Sequence, residues 1–207
     1  MSLIYLASQS PRRRQLLDQL GVAHELLLPG ADEDAEALEA VQAGELPDPY
    51  VRRATLNKLA AAVARRAARG LVPRPILCSD TTVALGSSIL GKPADTEEAM
   101  LMLRRFSGHT HRVLTAVSVG VPGRRSGAAP RIAQALSVST VTFAPLSRSQ
   151  IDRYVATGEP MGKAGAYALQ GQAALWVSRM TGSHSGIVGL PAFETAQVLR
   201  AAGIPLY

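Results

Sequence analysis

Asp80 interrupts an apolar stretch, Ile76-Leu77-Cys78-Ser79-Asp80-Thr81-Thr82-Val83. A carboxylate in such a run must be paired, protonated, bound to a metal, or placed at the exposed end of its strand. It marks either a site where a strand gives way to a loop or a structural polar cluster, and the run alone leaves both open. Glu33 lies in an acidic segment, Asp32-Glu33-Asp34 followed by Glu36 and Glu39. With Asp80 it would offer hard oxygens to a divalent cation, because Mg2+ commonly takes one or two carboxylates and completes its shell with phosphate oxygens and water. The alternative is an exposed acidic loop.

Cationic groups have distinctive settings. In Ser8-Gln9-Ser10-Pro11-Arg12-Arg13-Arg14, two serines and three arginines crowd the start of a helix. Free backbone N–H groups and the positive end of the dipole make such a turn an anion site; otherwise it is a solvated basic face on which the arginines oppose the dipole. Of the 22 basic residues only three are lysine: Lys58, Lys92 and Lys163. Each alone reads as a surface charge, yet a chain that defaults to arginine keeps lysine where a compact point charge is wanted. Lys92 stands in Gly91-Lys92-Pro93 and Lys163 in Gly162-Lys163-Ala164-Gly165, where small or rigid neighbours allow close approach to a ligand. Gly158 to Lys163 is no P-loop: the glycine spacing is one short, and Ala164 stands where Ser or Thr is required. His109 and His111 would need further ligands to hold zinc, and nothing nearby supplies them.

The elements that must position these groups alternate in type. Leu3 to Ala7 reads as a buried strand, followed by a helix from Pro11 to about Gly21. A long Ala-rich helix opens at Asp48-Pro49 and ends at Gly70. Ile76 to Leu85 is a buried strand that Gly86-Ser87-Ser88 turns into Ile89 to Pro93. Asp95 with Glu98, and Ser147 with Gln150, are capping-box signatures of two more helices, ending near Phe106 and Gly158. Val113 to Val119 and Ser137 to Phe143 alternate as half-buried strands do, with the loop Pro122 to Pro130 between them. Residues 159 to 189 are punctuated by glycine, and Pro191 to Gly203 closes with an amphipathic helix. This pattern predicts an α/β fold with a mixed sheet.

Composition bounds the alternatives. At 207 residues, 47% apolar and 18% charged, the chain suits one compact domain, not a long disordered tail. Cys78 is the single cysteine, which excludes a disulfide framework and predicts a reducing, cytoplasmic setting. No run approaches the roughly 18 apolar residues of a membrane span. The net charge of +6 suggests an anionic partner. Stable nucleic-acid binding is not expected, since aromatics are 4% and no recognition motif is present.

In order along the chain, Leu6-Ala7-Ser8-Gln9-Ser10-Pro11-Arg12-Arg13, Ser79-Asp80-Thr81, Gly91-Lys92-Pro93, Phe106-Ser107-Gly108-His109-Thr110-His111 and the run from Gly162 to Gly171 resemble the Maf family of nucleoside triphosphate pyrophosphatases. Gly182-Ser183 and Val188-Gly189-Leu190-Pro191 match its C-terminal signature, so the resemblance spans nearly residues 1–207 as one domain. It implies an elongated mixed sheet flanked by helices, two lobes with a central cleft as in inosine triphosphatases, and often a homodimer. It implies a hydrolase that uses a divalent metal (Mg2+, Mn2+ or Co2+) to cut a nucleoside triphosphate to the monophosphate and pyrophosphate. Asp80 matches the proton acceptor of the family, and Ser8, Arg12, Glu33, Lys58, Lys92, Lys163 and Gln170 fall at its cleft positions; Arg12 or Arg13, with the three lysines, would neutralise the triphosphate oxygens. Arg12, Thr81 and Gln170 resemble the dTTP/UTP branch; the branch acting on 7-methyl-GTP tends to an aromatic residue, Gln and Glu there. A side-chain amide such as Gln170 both donates and accepts, which suits the imide edge of uracil or thymine. Ser79, Ala116 and His184 depart mildly from the family pattern. Two alternatives remain: the 7-methyl-GTP specificity, and a regulator of septum formation that acts by binding.

Overall fold

The computed structural model describes residues 3–31, 33–34, 37–123 and 129–206. Asp32, Glu36 and residues 124–128 of the expected loop lie outside them. The chain forms β1 (Ile4–Leu6), α1 (Pro11–Gln19), β2 (His24–Leu26), α2 (Pro47–Ala68), β3 (Ile76–Leu85), β4 (Ser88–Leu90) and α3 (Thr96–Phe106). There follow β5 (Thr110–Val121), β6 (Arg131–Phe143), α4 (Arg148–Ala156), β7 (Val177–Thr181), α5 (His184–Val188) and α6 (Ala192–Ala201). Among the described residues the strands make one seven-stranded mixed sheet in the order β2-β1-β3-β5-β6-β7, with β4 hairpinned onto β3. β2, β1 and β3 run parallel, and β3, β5, β6 and β7 antiparallel. The α/β mixed-sheet expectation is met.

β3 occupies the middle of the sheet, and eight of its ten residues are buried. That is why its apolar residues do not alternate: they face both sides, with Ser79 to Thr82 as a polar patch between them. Helix α2 covers one face: Val51, Thr55, Ala62 and Arg65 recur at helical spacing and are buried, and Lys58 falls on the same line. On α3 the buried set is Ala99, Met102, Leu103 and Phe106. The Ser147 capping box forms in full. At Asp95 the cap accepts from the Glu98 amide, but the Glu98 carboxylate turns to the Ala94 amide, one residue earlier than the motif predicts.

On the sheet face opposite α2, two cores differ in kind. An aliphatic cluster of Ile4, Leu6, Leu17, Leu77, Val117, Val119 and Leu199 joins α1 and α6 to β1, β3 and β5. The other, under α3 and α4, is aromatic: Phe106, His111, Phe143 and Tyr167 pack tilted or edge-on at 4.2–6.1 Å between ring centroids. His111 is 1% exposed, and burial lowers its pKa to about 4, so it is a neutral core residue. Cys78 is also buried, its thiol raised to about 12 by desolvation, which makes it an inert apolar filler.

Candidate functional site

Asp80 pairs with Ala116 in the ladder of β3 and β5 and is 5% exposed. Its Oδ1 lies 2.5 Å from the Lys58 Nζ. The same ammonium is 2.6 Å from Glu39 Oε1, and Glu39 Oε2 is 3.4 Å from the Lys92 Nζ. Asp80, Lys58, Glu39 and Lys92 thus form a row of alternating charge. Burial alone would raise the Glu39 carboxyl, but Lys58 and Lys92 outweigh it and hold the group below its ordinary value. Glu39 is fixed by its backbone: the 3-10 turn Ala37–Glu39 is strapped to α2 through Tyr50 Oη, which donates to the Glu39 carbonyl at 2.9 Å.

This arrangement corrects one expected pairing. Glu33 does not meet Asp80; its carboxylate accepts two hydrogen bonds from Arg65 Nε at 2.7 and 2.9 Å, one from Arg65 Nη2 at 2.6 Å, and one from the Gly30 amide. These bonds, led by those from Arg65, hold its pKa at about 2. The reason lies in α2. Lys58 and Arg65 are seven residues apart on one face, roughly 10 Å along the helix axis. Arg65 captures the acidic residue nearest to it, and the chain continues to Glu39 before it reaches Lys58. Glu39, which the sequence shows only as one more acid of that segment, takes the place beside Asp80.

The first helix turn supplies the opposite side. Ser10 is the N-cap residue of α1 but makes no side-chain cap; instead the Ser8 Oγ accepts from the Ser10 amide at 3.2 Å. Arg13 is committed to the protein: Nε donates to the Gly189 carbonyl at 2.8 Å, Nη1 to Ser8 Oγ at 3.2 Å, and Nη2 to Thr81 Oγ1 at 3.3 Å. Its burial lowers the guanidinium pKa, and Asp80 and Glu39 partly offset this. The Thr81 Oγ1 is 3.0 Å from Thr115 Oγ1, which donates to the Gly186 carbonyl at 2.7 Å. Because Thr115 spends its proton on Gly186, the Thr81 hydroxyl must donate to Thr115 while it accepts from Arg13. Toward a ligand, Thr81 can therefore only accept.

Two adjoining cavities result. The larger, about 400 Å³, brings together Ser8, Arg12, Arg13, Glu39, Lys58, Asp80, Thr81, Lys92 and Lys163. The smaller, about 60 Å³, shares Arg12, Thr81 and Lys163 and adds Tyr167 and Gln170. Of the residues expected at the site, Glu33 alone is outside both. The segment from Pro160 to Gln172 forms the remaining wall. Lys163 Nζ donates to the Glu159 carbonyl, and the Gly165 amide donates to the Gly91 carbonyl at 2.9 Å, which draws Lys163 toward Lys92. Gly165 has φ +70°, and a Cβ there would come within 2.9 Å of Val83, so glycine is required twice over.

A family model described as Maf-like protein matches residues 3–202. A protein of Polaromonas sp. named dTTP/UTP pyrophosphatase is 62% identical over 98% of this chain and 97% of its own. One of the same name from Cupriavidus metallidurans is 61% identical over 98% of each. Among solved structures, a HAM1 protein from Coxiella burnetii aligns over 72% of this chain and 76% of its own, at 16% identity and a TM-score of 0.43. With its signature segments gathered around one cleft and its length matched almost throughout, the chain belongs to the Maf-like protein family.

Proposed function

We propose that this chain hydrolyses dTTP and UTP, and modified pyrimidine triphosphates of the same shape, to the nucleoside monophosphate and pyrophosphate. The observation that carries this reading is the pair of joined cavities. One is lined by Lys58, Lys92, Lys163 and Arg12 around a buried carboxylate, and the other by an amide at Gln170 and an acceptor at Thr81. The first has the charge for a triphosphate, and the second the polar edge for a pyrimidine.

The residues also fit a divalent ion. Asp80 and Glu39 both hold the Lys58 ammonium, so a cation already lies between two hard carboxylates. Among the described residues no three His, Cys, Asp or Glu side chains form a metal group by themselves, so phosphate oxygens and water would complete the shell. Asp80 and Glu39 would hold the ion, and when bound it supplies charge neutralisation and lowers the pKa of water.

In the hydrolysis, Lys58, Lys92, Lys163 and Arg12 spread over the phosphate oxygens, and Lys58 exchanges its carboxylate partners for the substrate. Asp80 Oδ2, the oxygen not bonded to Lys58, takes a proton from water as that water attacks the α-phosphorus. The bond from the α-phosphorus to the bridging oxygen breaks, and pyrophosphate leaves with the electron pair. A positioned base of this kind contributes about 10² to 10⁴ in rate. Asp80→Asn should abolish turnover with the fold intact. Pyrophosphate release should be measured from dTTP, UTP, CTP, modified pyrimidine triphosphates and 7-methyl-GTP, each with Mg2+, Mn2+ or Co2+. Near-normal release by Asp80→Asn would remove the assignment, and a preference for 7-methyl-GTP would replace the specificity.

A further inference from the structure

Glu159 stands outside the residues assigned so far, at the exit of α4, where Gly158 turns the chain at φ +73°. Its carboxylate crosses to the segment that carries Gln170: Tyr154 Oη donates to Oε1 at 3.0 Å, and the Gln172 amide donates to Oε2 at 3.2 Å. Between these bonds it lies flat against Gly171, where a Cβ would overlap Oε1 and the carboxyl carbon. The Glu159 amide donates to Thr157 Oγ1 at 3.1 Å, and its carbonyl accepts from Lys163. One residue therefore fixes both ends of the glycine wall: Lys163 through its main chain, and the backbone that follows Gln170 through its side chain. The Tyr154 ring that orients the carboxylate is itself packed edge-on against Trp176 at 4.9 Å.

We propose that Glu159 is a positioning residue for base selection, holding the backbone at Gly171 and Gln172 so that the Gln170 amide presents one fixed donor and acceptor order to the pyrimidine. This rests on the reading of Gln170 as the group that meets the base. An amide that can turn over serves the edge of cytosine as well as that of thymine, since the two differ by exchange of donor and acceptor. Discrimination therefore requires the amide to be held, and the Glu159 carboxylate, which lines neither cavity, contributes by fixing the backbone next to the residue that carries it.

The test compares kcat/KM for dTTP and dCTP in the full chain carrying Glu159→Ala, Glu159→Gln, Tyr154→Phe or Gln170→Ala. Loss of the carboxylate should narrow the dTTP to dCTP ratio by about tenfold, mostly through a raised KM for dTTP, as expected when a hydrogen-bonding group is misplaced. Tyr154→Phe keeps the ring on Trp176 and removes only the hydroxyl, so it should shift the ratio the same way by a smaller factor, and it serves if Glu159→Ala does not fold. Glu159→Gln keeps the shape and one acceptor, and should recover most of the ratio. If Glu159→Ala and Tyr154→Phe lower both substrates by one common factor while Gln170→Ala narrows the ratio, the inference fails and the reading of Gln170 stands. If Gln170→Ala leaves the ratio unchanged, that reading fails and takes the inference with it.

Discussion

The two walls of the cleft are built by different means. The wall with Lys58, Glu39 and Asp80 rests on a 22-residue helix, a central strand and the 3-10 turn strapped to that helix, and its side chains are located by ion pairs. The wall with Lys163 and Gln170 has almost no regular structure, and is located by main-chain turns at Gly158, Gly162 and Gly165 and by the aromatic cluster beneath it. Point charges act over several ångströms and tolerate small shifts, whereas hydrogen-bond readout of a base edge fails within about one. Charge can be placed by long side chains on regular elements; reading a base needs an accurately placed backbone.

The largest expected contrast is Lys58→Met, which removes the cation between the two carboxylates and leaves Asp80 and Glu39 facing each other. Turnover of dTTP should fall by about 10² to 10³ with little change in the dTTP to dCTP ratio, measured by pyrophosphate release. A changed ratio would show that the walls are not separable. On the other wall, Gly165→Ala must relieve a left-handed backbone and a contact with Val83 together. It should lose about 1–3 kcal/mol of stability by urea titration and raise KM more than it lowers kcat. Smaller again is Glu39→Gln. The Mn2+ concentration for half-maximal activity should rise by about tenfold, and Mn2+ binding followed by electron paramagnetic resonance should weaken in parallel, whereas Glu33→Gln should alter neither.

Acid separates the walls last and most gently. His111 lies against Tyr167, its Nε2 2.8 Å from the hydroxyl, and in the fold its pKa is lowered to about 4. The unfolded chain therefore binds a proton that the fold refuses as pH falls from about 6.5 to 4. Stability drops across that window by up to about 1.4 kcal/mol per unit and levels off below it. The Glu33 carboxyl, lowered to about 2, works in a different window: the stability it adds is present above about pH 4.5 and is lost as pH falls toward 2. Urea midpoints between pH 7 and 4 should thus decline in the parent chain and flatten in His111→Gln, with Glu33→Gln unchanged in slope above pH 5.

Much of this was legible in the sequence. Asp80 in an apolar strand and three lysines among arginines stand out because each departs from its surroundings, and the fold gathers them on one cavity; the Ser147 capping box follows a local motif and forms. Glu33 and Glu39 were not separable, since an acidic segment without periodicity does not say which residue meets which cation. The seven-residue spacing of Lys58 and Arg65 on α2, close to the six between the two glutamates, was the usable signal. The short elements β2, β7 and α5 escaped for another reason: three to five residues contain too few repeats of a strand or helix period for a pattern to stand out, and only neighbours hold them. Glu159 was hidden because its importance lies in what a glycine twelve residues later leaves room for.

The alternating row from Asp80 to Lys92 has a consequence for which anions can fill the cleft. Two carboxylates and two ammonium groups sum to no net charge, so the row alone offers little to a small mono- or dianion such as chloride or free phosphate. A ligand gains only if it brings enough negative charge to replace both carboxylates at once and is long enough to reach Arg12 and Lys163 beyond them. Among common metabolites, abundance alone would not fill such a cleft; a long, densely charged chain would.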